Sequence, residues 1–176
     1  LVLDEAYYEY VDAPGAPDSM AILARRPRTV VLRTFSKAYG LAGLRCGYGF
    51  TTPDIVAQIN RVRAPFNVNS LAQVGAIAAL DDDDFLKRAV TLNRECKAWL
   101  EAELSSRGLG VTPSQTNFLL VDFHSNAMPF YEALMTQGVI TRPMGGYGLH
   151  TCLRISVGLP EENQKLVEAV DALMGR

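Results

Sequence analysis

Residues 29–50, TVVLRTFSKAYGLAGLRCGYGF, constrain the fold of this chain most strongly. They open with the apolar run Val30, Val31 and Leu32, which reads as a buried strand. Ser36 and Lys37 arrive as that run ends, and Gly40, Gly43, Gly47 and Gly49 then punctuate a segment holding a second cation, Arg45. A lysine at a strand end, beside backbone that only glycine tolerates, is poorly explained as solvated surface. It is well explained as an amine that must reach a carbonyl. Lysine forms Schiff bases where its surroundings lower its pKa enough to leave some neutral amine near neutral pH. Arg45, eight residues on, suits a phosphate or carboxylate, which its planar fork binds through two parallel hydrogen bonds.

The bulk properties exclude more than they assign. A chain of 176 residues is enough for one ordinary domain or for parts of two. With 48% apolar and 20% charged residues the composition is that of a soluble globular protein. A net charge of −2 gives no electrostatic reason to expect nucleic acid or an anionic membrane surface as partner. No apolar run approaches the roughly 18 residues of a membrane span, and no secretory signal is visible. Cys46, Cys96 and Cys152 are far apart and odd in number, which fits neither a disulfide framework nor a zinc site. The expected compartment is the cytoplasm, and no metal is expected. The chain starts at Leu1-Val2-Leu3-Asp4, without methionine and already inside an apparent buried strand. Terminal residues are usually frayed and polar, and the expectation is therefore a piece of a longer protein.

In order along the chain, residues 1–3 read as a strand that ends in Asp4-Glu5-Ala6-Tyr7-Tyr8. Ligands of open parallel sheets sit beyond the carboxyl ends of strands, where Asp4 and Tyr7 fall. An aspartate there serves as well for capping a turn. Residues 12–28 read as a loop and short helix crossing to the next parallel strand. Arg33, inside that strand, is expected to make only a structural salt bridge. A helix starts at Thr52-Pro53-Asp54 with an apolar stripe of Ile55, Val56, Ile59 and Val62. Asn67 in the following break reads as a turn former. A second apolar helix runs from about Ser70 to Leu80.

Asp81 to Asp84 precede a long amphipathic helix over residues 85–106, where carboxylates favour the helix N-terminus. Its buried stripe is Leu86, Val90, Cys96, Leu100 and Leu104, and Gly108 ends it. Strands then follow at 117–122, 139–142 and 152–157, with helices at 127–137 and 160–174. The division is two domains, 1–84 and 85–176, with the long helix as the joint. Within Leu153-Arg154-Ile155-Ser156-Val157, strand alternation sets Arg154 opposite the apolar face. Its partner is either an internal carboxylate or the carboxylate of a substrate. Arg142 ends the preceding strand, beside a glycine-rich loop. His124 and His150 read as surface residues.

The run RTFSKAYGLAGLRCGY closely resembles the cofactor-lysine segment of pyridoxal-phosphate-dependent aminotransferases of the aspartate-aminotransferase fold, in particular the histidinol-phosphate aminotransferases. The resemblance covers essentially the whole chain, but only the C-terminal half of a full family member. It implies an α/β fold: part of a mostly parallel-sheet, pyridoxal-phosphate-binding large domain plus a small C-terminal α/β domain. It implies that Lys37 forms the Schiff base, that Asp4 keeps the ring nitrogen protonated, and that Tyr7 bonds the ring oxygen. Ser36 and Arg45 hold the cofactor phosphate. In the matching LRISVG segment Arg154 takes the substrate carboxylate, and Arg142 falls where family members bind the phosphate of histidinol phosphate. The implied partners are amino-acid and 2-oxo-acid substrates and a second subunit in a homodimer, with this half inactive alone. Other readings stay open: an aromatic aminotransferase or phosphothreonine decarboxylase on the same scaffold, or a non-catalytic effector-binding module.

Overall fold

The computed structural model describes residues 1–175. The chain divides into two compact units, Leu1–Val90 and a second from Thr91 onward. The first unit contains β1 (Val2–Asp4), a 3-10 turn at Tyr8–Tyr10, α1 (Ser19–Arg25), β2 (Val30–Thr34), β3 (Gly47–Phe50), α2 (Pro53–Val62) and α3 (Ser70–Leu80). Its sheet has the order β1-β2-β3. β1 and β2 run parallel, with Val2 opposite Val30 and Asp4 opposite Leu32. Parallel neighbours need a crossover, and α1 lies in it. Asp18 starts α1 by accepting a hydrogen bond from the Ala21 N–H at 3.0 Å.

β3 lies antiparallel to β2, with Thr34 opposite Gly47 and Leu32 opposite Gly49. Its glycines carry no strand signal of their own, yet they are what lets the strand pair. A Cβ at Gly47 would stand 2.8 Å from the Arg33 carbonyl oxygen, a close backbone approach of the kind that keeps glycine in strands.

α2 begins at Pro53 after Thr52, as its sequence signals. Its stripe is a different matter. Val56, Ile59 and Val62 are all exposed, Val62 to 83%, and the helix buries no residue. The helix forms with the expected apolar face, and periodicity shows a face without showing what covers it. α3 is capped by the Asn69 side chain, which accepts from the Ala72 N–H at 2.8 Å. It buries Ala72 and Ala76 and exposes Leu71, Val74 and Ile77.

α4 (Asp83–Ser106) starts two residues earlier than its sequence period indicates, since Asp82 caps it by accepting from the Phe85 N–H at 2.9 Å. Cys96, Leu100 and Leu104 are buried as expected, whereas Leu86 and Val90 are half-buried. The second unit continues with β4 (Gly110–Thr112), β5 (Phe118–Asp122), α5 (Met128–Thr136), β6 (Arg142–Pro143), β7 (Cys152–Ser156) and α6 (Pro160–Met174). Its sheet is antiparallel throughout, in the order β4-β5-β7-β6. Leu119, Val121, Leu153 and Ile155 meet Leu100 and Leu166 in its core. β4 is too short to carry a period of its own. β6 is shorter than the expected 139–142, because the Val139 N–H turns back to the Leu134 carbonyl and Pro143 has no N–H to extend the ladder. Among the described residues no helix is long and apolar enough to cross a membrane.

Arg107, just past α4, ties that helix to α6. It donates through Nε and Nη2 to both oxygens of Asp171 at 2.7 Å, and through Nη1 to Glu103 at 2.6 Å. Its side chain is only 13% exposed. Bidentate, charge-assisted pairs of this kind are the strong ones. Arg107→Ala is expected to cost about 1–3 kcal/mol of stability in chemical denaturation of the full-length protein, and Arg107→Lys is expected to recover less than half of it.

Candidate active site

The loop at residues 35–46 is closed by its own backbone. The Phe35 N–H donates to the Cys46 carbonyl at 3.2 Å, and the Leu41 N–H donates to the Phe35 carbonyl at 2.9 Å. Gly40, at φ +69°, accommodates the turn in which its N–H reaches the Lys37 carbonyl. Phe35, Ala38 and Tyr39 are buried, and their burial leaves Ser36 and Lys37 half-buried at the loop surface. The Thr34 hydroxyl steadies the start of the loop by accepting from the Ser36 N–H at 3.1 Å.

Across the parallel pair, β1 ends at Asp4, whose Oδ1 accepts from the Ala6 N–H at 3.1 Å. The chain then turns back, with the Tyr8 N–H on the Glu5 carbonyl and the Tyr10 N–H on the Tyr7 carbonyl, both at 3.0 Å. This turn brings Tyr7 to the lysine: Lys37 Nζ is 5.2 Å from the centre of the Tyr7 ring. An amine, a phenol and a carboxylate therefore gather at the carboxyl ends of two adjacent parallel strands.

Arg45 has a left-handed backbone, φ 56° and ψ 49°, after the short turn Ala42–Leu44. For a residue with a side chain that conformation is uncommon, and strained positions cluster at functional sites. Its Nη1 donates to the Ala42 carbonyl at 2.8 Å, and the side chain is otherwise solvent-facing. α3 supports the turn from behind. Asn69 Nδ2 donates to the Leu44 carbonyl at 3.2 Å, and Gly75 makes room for Leu44, whose Cδ1 lies 2.8 Å from where a Cβ would stand.

In the second unit Arg154 on β7 stands directly opposite Arg142 on β6. Directly opposed residues project from the same face, and like charges there repel. Among the described residues neither guanidinium is ion-paired with a carboxylate. Arg154 lies 5.0 Å from the centre of the Phe118 ring, and Arg142 Nη2 donates weakly to the Tyr147 hydroxyl at 3.5 Å. Two unneutralised cations side by side are a site for anionic groups.

The aminotransferase class I and II model matches residues 1–170. The chain belongs to the aminotransferase class I and II family. It is 49% identical over 174 residues to histidinol-phosphate aminotransferase 2 of Pseudomonas aeruginosa, covering 99% of this chain and 47% of that protein. The chain thus spans about half the length of the curated relatives it matches. The crystal structure of histidinol-phosphate aminotransferase from Sinorhizobium meliloti, solved with pyridoxal-5'-phosphate, superposes with a TM-score of 0.88 at 34% identity, over 98% of this chain and 49% of that one. L-threonine-O-3-phosphate decarboxylase from Porphyromonas gingivalis shares the fold, with a TM-score of 0.82 at 24% identity, over 99% of this chain and 55% of that one.

Residues beyond the motif complete the picture of this aminotransferase-family chain. Asn67 accepts from Arg63 Nη1 at 2.8 Å in an exposed turn, and His124 and His150 are exposed. Cys96 is buried, which pushes its thiol pKa up and keeps it neutral. The support that Asn69 and Gly75 give the turn before Arg45 comes from residues outside the lysine segment. The N-cap signal, an asparagine before an apolar helix, could have revealed the first; nothing local reveals the second. Glu9 is a further half-buried group, with Oε2 enclosed and unpartnered. Burial raises its pKa, outweighing a backbone hydrogen bond and the attraction of Arg33. A carboxyl whose folded pKa is raised stabilises the fold below its unfolded pKa and loses that contribution as pH rises through the folded value. Glu9→Gln is therefore expected to raise Tm relative to the parent at about pH 7, with the difference vanishing by about pH 4, near the ordinary carboxyl range. A Tm gap that grows on acidification contradicts this sign.

Proposed function

We propose that the full-length protein is a pyridoxal-phosphate-dependent aminotransferase that moves an amino group between histidinol phosphate and 2-oxoglutarate, in histidine biosynthesis. The observation that carries this reading is the Lys37 amine beside the Tyr7 ring, with Asp4 ending the adjacent parallel strand. The donor set suits the cofactor group by group: an amine for its aldehyde, a carboxylate for its ring nitrogen, a phenol for its ring oxygen, and Ser36 with Arg45 for its phosphate. When bound, pyridoxal phosphate supplies an aldehyde that condenses with amines and a ring that draws electrons from the substrate Cα–H bond.

The protein's own residues do the rest. Lys37 Nζ would hold the cofactor through its aldehyde and, as a free amine, would be the base that takes the substrate Cα proton and the acid that gives it back. Asp4 would keep the ring nitrogen protonated, and Tyr7 would donate to the ring oxygen. Arg154 grips the carboxylate of an amino-acid donor. Arg142 would bind the phosphate of histidinol phosphate, which has no carboxylate, and the opposed pair suits a site that receives a phosphate from one substrate and a carboxylate from the other in turn. Assembly as a cytoplasmic homodimer completes the reading, supported by the apolar side chains that α2, α3 and the turn between them leave exposed, notably Val62 and Phe66.

Lys37→Ala in the full-length protein is expected to abolish the visible absorbance of bound cofactor and nearly all transamination. Borohydride reduction that still fixes the cofactor to another lysine of the variant would contradict the assignment. Arg154→Ala is expected to raise KM for every amino-acid donor, a loss of about 2–5 kcal/mol where a desolvated charge pair is broken. Arg142→Ala is expected to depress kcat/KM for histidinol phosphate far more than for glutamate or phenylalanine. An equal loss for phosphorylated and unphosphorylated donors makes Arg142 structural and favours an aromatic aminotransferase.

A further inference from the structure

Arg33 has no part in the chemistry above, yet its side chain is largely buried in the first unit. It follows Leu32, the β2 partner of Asp4, and precedes Lys37 by four residues. Its Nε donates to Glu5 Oε2 at 2.9 Å, with the two side chains 14% and 16% exposed. Its Cζ lies 3.4 Å from the centre of the Tyr8 ring and 5.3 Å from that of Phe50. The Glu5 N–H is itself held by the Leu32 carbonyl at 2.8 Å. Glu5 and Tyr8 are the immediate chain neighbours of Asp4 and Tyr7. One guanidinium therefore grips the turn at two points, each next to a residue assigned to the cofactor ring.

We propose that Arg33 is a positioning residue, which clamps Glu5 and Tyr8 and thereby fixes Asp4 and Tyr7 against the ring of the bound cofactor. The proposal rests on the pyridoxal-phosphate reading given above. The charged and titratable groups facing the guanidinium are Glu5, Tyr8 and Glu9 from the turn, Tyr39 from the loop after β2, and Tyr48 from β3. Burial works against the charge on Arg33, but the hydrogen bond and attraction of Glu5 outweigh it and hold the cation firmly charged. A salt bridge alone could be served by lysine. The clamp could not, because stacking on Tyr8 while donating sideways to Glu5 needs a planar, forked cation.

The test is a pH titration of the visible absorbance of the full-length protein with pyridoxal phosphate bound, for the parent, Arg33→Ala, Arg33→Lys and Glu5→Ala. Loosening Asp4 from the ring nitrogen and Tyr7 from the ring oxygen both favour the protonated Schiff base. The midpoint is expected to rise by about one unit in Arg33→Ala, comparable with the loss of a single charge-assisted contact, and by less in Arg33→Lys and Glu5→Ala. The fall in activity is expected in kcat more than in KM, about tenfold for Arg33→Ala. The double variant, Arg33→Ala with Glu5→Ala, is expected to be no worse than Arg33→Ala, since the two residues act as one unit. If Arg33→Ala does not fold, Arg33→Lys and Glu5→Ala carry the test. Midpoints that stay put while Tm falls overturn the clamp and leave Arg33 a structural ion pair, with the functional reading intact. A parent protein that shows no cofactor band overturns the functional reading and the clamp together.

Discussion

The burial of Phe35 holds the first unit's chemistry in place. Its ring packs at 5.1 Å from both Tyr39 and Tyr48, and it is 3% exposed. Its backbone N–H and carbonyl are both taken by the far side of its own loop, through Cys46 and Leu41. An aromatic side chain buried at this depth brings a large apolar contribution, and here it is coupled to two backbone hydrogen bonds that set the path of residues 35–46. Ser36 and Lys37 face outward because their neighbours face in. Arg45 is placed by the same closure, since it directly precedes the Cys46 carbonyl that Phe35 holds.

Around that anchor the chain accepts several locally unfavourable arrangements. Arg45 is held in a left-handed backbone that glycine would adopt more cheaply. In the second unit, Arg142 and Arg154 are set opposite each other with no carboxylate between them among the described residues. A sheet chosen only for stability would place a carboxylate at one of those positions. The ordinary ion pairs of the molecule show the contrast: Arg107 with Asp171 and Glu103, and Arg33 with Glu5, are neutralised at short range. Arg45, Arg142 and Arg154, the arginines assigned to anionic ligands, are not among the described ion pairs. Residues that break a local rule in this way are expected where function is served.

Much of this was legible in the sequence. The glycine spacing around Lys37 and Arg45 pointed to a lysine at a strand end beside closely approached backbone, and the apolar run before it to a strand. The position of Asp4 and Tyr7 beyond a strand end, the long helix with its buried Cys96, and the alternation about Arg154 could all be read locally, because each depends on residue chemistry and on periods of two or 3.6 residues. Tertiary structure alone decided the rest. It made a strand of the glycines at 47 and 49, left the α2 stripe exposed, and cut β6 to two residues. It set Arg142 opposite Arg154, and it passed the Arg33 guanidinium over Tyr8 to Glu5. These are matters of register and of what lies across a sheet or over a helix. They are settled by pairings between residues distant in the chain, such as Glu5 and Arg33, which no local pattern records.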